Sequence, residues 1–134
     1  MSITYFESNR NLDRNFGNSS FSPPATHYIG LSTTTINDDG TGATEPSGGS
    51  YARASATNDK TTWTNASLGV LTNAVEISFP ASTAAWGTIV DVAIYDAASG
   101  GNLLYFGTLS PSRVVQDATT VKFAVGDITV SQVN

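Results

Sequence analysis

A chain of 134 residues is the size of one domain and is long enough to bury roughly two-thirds of its unfolded surface. It has no cysteine, which excludes disulfides, thiolate metal sites and cysteine nucleophiles. Only 13% of its residues are charged and the net charge is −5; the six basic residues (Arg10, Arg14, Arg53, Lys60, Arg113, Lys122) are scattered, which argues against nucleic acid as a partner because phosphate binding needs clustered Lys and Arg.

No segment approaches the roughly 20 apolar residues that span a bilayer, so no membrane partner is expected. Residues 1–15 lack the basic start and apolar centre of a secretion signal. Work outside a cell is therefore expected to be reached by another route. In place of charge stand 18 Thr, 16 Ser, 10 Asn and 12 Gly, the make-up of a polar, uncharged surface between turns.

Residues 1–24 are rich in Asn and Ser, hold the apolar anchors Tyr5, Phe6, Phe16 and Phe21, and end at Pro23-Pro24. A short helix over 5–16 would place Phe6, Leu12 and Phe16 partly on one side, with Arg10 and Arg14 sharing a face. Asn9, Asn11, Asn15 and Asn18 weaken it, since Asn competes for local backbone hydrogen bonds. The segment reads as an N-terminal arm or short helix, with an unanchored terminus as the competing reading, ahead of a β-domain over 25–134.

Past the prolines, residues 26–33 alternate, with His27, Ile29 and Leu31 on one face and Tyr28, Gly30 and Ser32 on the other. A long polar loop, Thr34 to Ser50, follows; loops of this length in compact domains usually serve a function or a partner. Strands are predicted over 51–57, over 61–65 around Trp63, and over 75–80, where Val75, Ile77 and Phe79 face one way. Residues 86–109 form the clearest element, two apolar runs around the small-residue turn 97–101, which reads as an antiparallel hairpin. Val90, Val92, Ile94, Leu104 and Phe106 are its expected core residues. Residues 120–125 and 127–133 are predicted to pair around Gly126. Seven to nine short strands with regular turn signals indicate an all-β fold, an antiparallel β-sandwich or jelly roll in a single domain. There is no internal repeat and no heptad run, so neither a solenoid nor a coiled-coil shaft is expected.

Chemistry is sparse. His27 is the only histidine, so no Ser-His relay or transition-metal site can be assembled, and no cofactor is expected. Asp91 and Asp96 lie five apart and point to opposite faces of a regular strand, which disfavours a glycosidase pair. Asp96 reads as a turn residue; Asp91 interrupts an apolar run and, facing inward, would need a partner such as Arg53 or Arg113. Asp38 and Asp39, with Glu45 nearby, offer oxygen ligands for a hard cation, although Asx-turn chemistry explains them without one. Trp63 and Trp86, each flanked by small residues, are candidate stacking platforms for a sugar ring, with burial in the core as the competing reading. The chain is not expected to be an enzyme.

The runs PATHYIGLST (24–33), GGSYAR (48–53), FP…WGT…DAASGGN (79–102) and AVGDITV (124–130) resemble a family of small tailed-phage virion proteins, commonly labelled tail fibre or tail proteins. The resemblance covers nearly the whole chain and none of its motifs is catalytic. It implies a structural protein on the surface of a phage particle, made in the host cytoplasm. The chain's size and single unit point to a homotrimeric capsid decoration or cement protein that contacts the major capsid protein or other virion proteins. The alternative is a tail fibre or tail-tip module that meets a host-surface glycan. The expected contact residues are Tyr5, Phe6, Phe16 and Phe21 of the arm, Asp38 and Asp39 of the loop, Arg53 and Trp63.

Overall fold

The computed structural model describes residues 1–132. In chain order its elements are β1 (Ser2–Ile3), α1 (Tyr5–Gly17), β2 (Thr26–Ser32), β3 (Ala54–Thr57), β4 (Val70–Thr72), β5 (Ile77–Ser78), β6 (Gly87–Tyr95), β7 (Leu103–Val115), β8 (Lys122–Phe123) and β9 (Thr129–Ser131). The fold is all-β and antiparallel apart from α1. Its main sheet has the order β1-β7-β6-β2-β3, and two ribbons, β4-β9 and β5-β8, pack beside it.

The helix forms despite its asparagines because both ends are capped. Thr4 is extended and its Oγ1 accepts the Glu7 N–H at 3.4 Å; Thr and Glu three apart are the spacing of a capping box. The same hydroxyl donates to the Leu103 carbonyl at 2.8 Å, which fixes the cap to the main sheet. At the far end Asn18 takes a left-handed φ of 57°, a conformation Asn tolerates. Ahead of the helix, β1 pairs with β7 through Ser2 with Phe106 and Ile3 with Tyr105. The first residues thus add a strand to the sheet.

The hairpin expected over 86–109 is the centre of the sheet, with β6 and β7 in register from Gly87 with Val115 to Tyr95 with Leu103. A register shift between Ile89 and Asp91 takes Val90 off the ladder. Ile89, Val92 and Ile94 therefore fill the core, and Val90 is only half-buried. The main core lies between the sheet and the ribbons, where these residues meet Ile29, Leu31, Trp63, Ile77, Phe79, Trp86, Phe123 and Ile128. The sheet's other face carries a second cluster, Ile36, Ala93, Tyr95 and Leu103, covered by the 34–50 loop; Phe106 packs there, half-buried, and not in the main core.

Three further expectations differ from the structure. Residues 61–65 contribute a single bridge, Trp63 with Asn73, in place of a strand. The strand expected over 51–57 begins at Ala54, because Tyr51 and Arg53 are used as side-chain ties. The closing segments around Gly126 do not pair with each other: β8 pairs with β5 and β9 with β4. The cause is Asn73, fully buried, whose Nδ2 donates to the carbonyls of Val75 and Ala124 at 2.8 and 2.9 Å while its Oδ1 accepts the Ile128 N–H at 2.9 Å. One side chain thus replaces the ladder bonds that a hairpin would have made. Val133, the last residue of that predicted pair, lies outside the described residues.

A clasp joins two of the sequence runs singled out above. Arg53 donates from Nε and Nη2 to the two Glu45 oxygens at 2.9 and 2.8 Å, and from Nη1 to the carbonyls of Ala97 and Gly100 at 2.6 and 2.9 Å. Its guanidinium lies 3.4 Å from the centre of the Tyr95 ring. Tyr51 donates to Glu45 at 2.7 Å and its oxygen accepts the Leu31 N–H. Gly30 leaves the space for this, since a Cβ there would stand 2.8 Å from the Tyr95 ring and 2.9 Å from Glu45 Oε1.

Burial pulls the Glu45 carboxyl up, but the hydrogen bonds from Arg53 and Tyr51 prevail and hold it below the ordinary 4.5. A carboxyl whose folded pKa lies below its unfolded value adds stability that is complete above pH 4.5 and is lost as pH falls through the folded value. Urea midpoints measured from about pH 6 down to about pH 3 should therefore fall more steeply in the wild type than in Glu45→Gln. Parallel curves would show that the clasp is not the acid-sensitive element.

Candidate assembly surface

The sequence reading named eight contact residues, and the structure divides them. Arg53 departs from the expectation: its side chain is 5% exposed and four of its five N–H donors are spent inside the clasp. Trp63 is buried in the main core, edge-on to His27 with ring centres 5.9 Å apart, and so offers no open face at the surface. Trp86 is buried too, its Nε1 donating to the Gly49 carbonyl at 2.8 Å. The small neighbours of these tryptophans permit close packing, which the sequence reading had weighed as exposure.

The 34–50 loop is pinned along its length. Asp39 Oδ1 accepts the Thr41 N–H at 2.9 Å and the Thr41 hydroxyl at 2.6 Å, an Asx turn that leaves the carboxylate engaged. The Asp38 side chain is exposed, while its carbonyl accepts the Tyr5 N–H at 2.9 Å and so ties the loop to the start of α1. Buried Asp91 holds the loop from below, Oδ2 accepting the Ile36 N–H at 2.7 Å; among the described residues no arginine pairs with it. Asp96 closes the hairpin turn on Asn102, through N–H and Nδ2 at 2.7 and 3.0 Å. These carboxylates are structural fastenings.

The arm residues are different. Phe21 folds back, half-buried, and lies under two guanidinium groups, Arg10 at 4.0 Å and Arg14 at 5.1 Å. Phe6 is 40% exposed with Arg10 over its ring at 5.4 Å. Tyr5 and Phe16 stand out at 59% and 85% exposure, and Leu12 joins them at 52%. At 3.6 residues per turn, positions 5, 12 and 16 fall in one stripe. The opposite side of the helix carries Glu7, buried and paired with Arg10 at 2.5 Å, together with Arg14.

The helix is thus inverted along its first turns: Glu7 is buried and Arg10 half-buried against the body, while Tyr5, Leu12 and Phe16 face out. An amphipathic helix on a lone domain does the reverse. With Asn9 between them, the outward positions 5, 9, 12 and 16 are spaced 4-3-4, the spacing of a coiled-coil seam. The sequence reading paired Phe6 with Leu12 and Phe16. What would have found the true stripe is this spacing, together with the Thr4-Glu7 box that sets where the helix starts.

The chain matches the family model described as Gp80, podophage GP4 fiber I protein gp80, over residues 2–131. The chain belongs to this family. It is therefore a phage structural protein and part of the virion. The match runs from β1 to β9 and so includes α1 as well as the sheet. No curated protein matches the chain.

Proposed function

We propose that the protein is a fibre component of the phage particle, built as a homotrimer in which three copies of α1 pack stripe to stripe. The observation that carries this reading is the inverted helix: Tyr5, Leu12 and Phe16 are exposed on a helix whose one buried residue is the charged Glu7, paired with Arg10. Large apolar side chains gathered on one exposed face mark an interaction surface. The occupant is a second copy of the same chain, because a 4-3-4 seam is self-complementary and identical helices interlock along it, with Asn9 at the one polar position fixing register. At 13 residues α1 is too short to form a shaft of its own. It serves instead as a short bundle tethered to three β-domains.

The family description supports fibre over capsid decoration, which was the leading expectation from size. A structural and non-catalytic role is supported by the carboxylates at 39, 91 and 96, each of which is consumed in holding a turn or loop. The surface position on the particle follows from the same reading. Gold labelling of intact particles with an antibody to this chain tests it: label confined to fibres, at a few tens of copies or fewer, is expected. Label spread over heads at hundreds of copies would return the protein to decoration.

A further inference from the structure

We propose that the cleft between α1 and the β4-β9 ribbon binds a sugar ring carrying a negative charge. The proposal deepens the fibre reading, since a fibre presents such a site to whatever polysaccharide surrounds the host. The cleft has a volume of about 250 Å3, which suits a single sugar residue and its substituents.

Its charge is the opposite of the protein's. Three of the six basic side chains, Arg10, Arg14 and Lys60, line it, against one of the eleven acidic ones, Glu7. Burial pushes the Glu7 carboxyl up against the pull of Arg10, which weakens the single negative charge in the wall. Arg14 is in no ion pair among the described residues, so its planar fork is free to meet a carboxylate or sulfate.

The remaining wall is that of a carbohydrate site and not of a bare anion site. Half-buried His27 and Tyr105 supply ring surface, Trp63 borders the cleft while staying buried, and the amides of Asn58 and Gln132 supply paired donors and acceptors for hydroxyl groups. Gln132 already donates to the Tyr105 hydroxyl at 3.0 Å, which orients both. Polar atoms without a protein partner also gather here: Nε1 of Trp63, Nδ1 of His27 and Nε of Arg10 are buried with no hydrogen bond, and all three residues line the cleft. With Glu7 Oε2 they make the wall under-bonded from within, while the exposed Arg14 and Lys60 are the groups a ligand reaches. The cleft lies on the inner side of the helix, so it stays open when the outward stripe is covered.

The test is a titration of 15N-labelled protein with sodium glucuronate and with N-acetylglucosamine 6-sulfate, beside glucose and inorganic sulfate. The charged sugars are expected to shift the Trp63 indole and Gln132 amide signals saturably. Glucose and inorganic sulfate should each bind about tenfold more weakly or worse, and Arg14→Gln/Lys60→Gln, both exposed positions, should lose at least about tenfold. The proposal is overturned if neither charged sugar moves the Trp63 signal, if inorganic sulfate matches them, or if the double variant binds as tightly as the wild type. Failure here would leave fibre labelling on particles untouched, and head labelling would leave the titration standing, so the two readings fail separately.

Discussion

Arg53→Ala is expected to lower stability by about 2–4 kcal/mol, less than the full penalty for a wholly buried ion pair because Glu45 keeps a quarter of its side chain in water and its bond from Tyr51, and to drop the thermal midpoint by roughly 6–15 °C. Removal strands the Glu45 carboxylate, two carbonyls in the 97–100 turn and the face of Tyr95 in a single step. Against a total of about 5–15 kcal/mol for a domain, this is a large share. Arg53→Lys keeps the charge but cannot span two carboxylate oxygens and two carbonyls together, so it should fall between wild type and Ala. In a double-mutant cycle, Glu45→Gln should cost far less in the Arg53→Ala background than alone. Chemical unfolding by circular dichroism reads all of these; a change within about 0.5 kcal/mol for Arg53→Ala would mean that the clasp is a surface pair only.

The second large effect is on assembly. Leu12→Asp/Phe16→Asp should leave the isolated protomer's stability within about 0.5 kcal/mol, because both side chains are exposed there. Each apolar side chain buried between copies contributes about 1.5–3 kcal/mol, and an aspartate at the seam adds mutual repulsion. The dissociation constant should rise by at least about 100-fold, equivalent to roughly 3 kcal/mol. Phage carrying this variant should lose the protein from purified particles, read by quantitative mass spectrometry. Normal incorporation would place the contact elsewhere.

Much of this fold can be read from local pattern. Residues 86–109 form a hairpin because two β-branched and aromatic runs flank a turn with Gly100 and Gly101, and little else accommodates such a sequence. The register within it is less legible: the shift at Val90 exchanges which residues face the core, and no local signal marks it. The termini of the β-domain follow another logic. Residues 120–131 look like a hairpin around Gly126, but Asn73, some fifty residues earlier, captures both sides of that turn. A long-range side-chain tie overrides a short-range pattern, and composition gives no warning of it.

The contact residues divide in the same way. Arg53 and Trp63 stand out in a chain poor in charge and in tryptophan, yet distinctiveness in a sequence does not separate a surface tool from an internal fastening. Arg53 joins the GGSYAR and DAASGGN runs. Tyr5 and Phe16 are exposed as contact residues should be, but the reason lies in which side of α1 meets the body. Glu7 and Arg10 fix that choice by pairing at the inner face.

The most direct test of the proposed assembly is the mass of the purified protein in solution, by light scattering or sedimentation equilibrium, for the wild type beside Leu12→Asp/Phe16→Asp. The wild type should run at three times the 14.0 kDa protomer and the variant at one protomer with unchanged circular dichroism. A wild type that stays at one protomer at every concentration tested, or a variant that keeps the threefold mass, would contradict it.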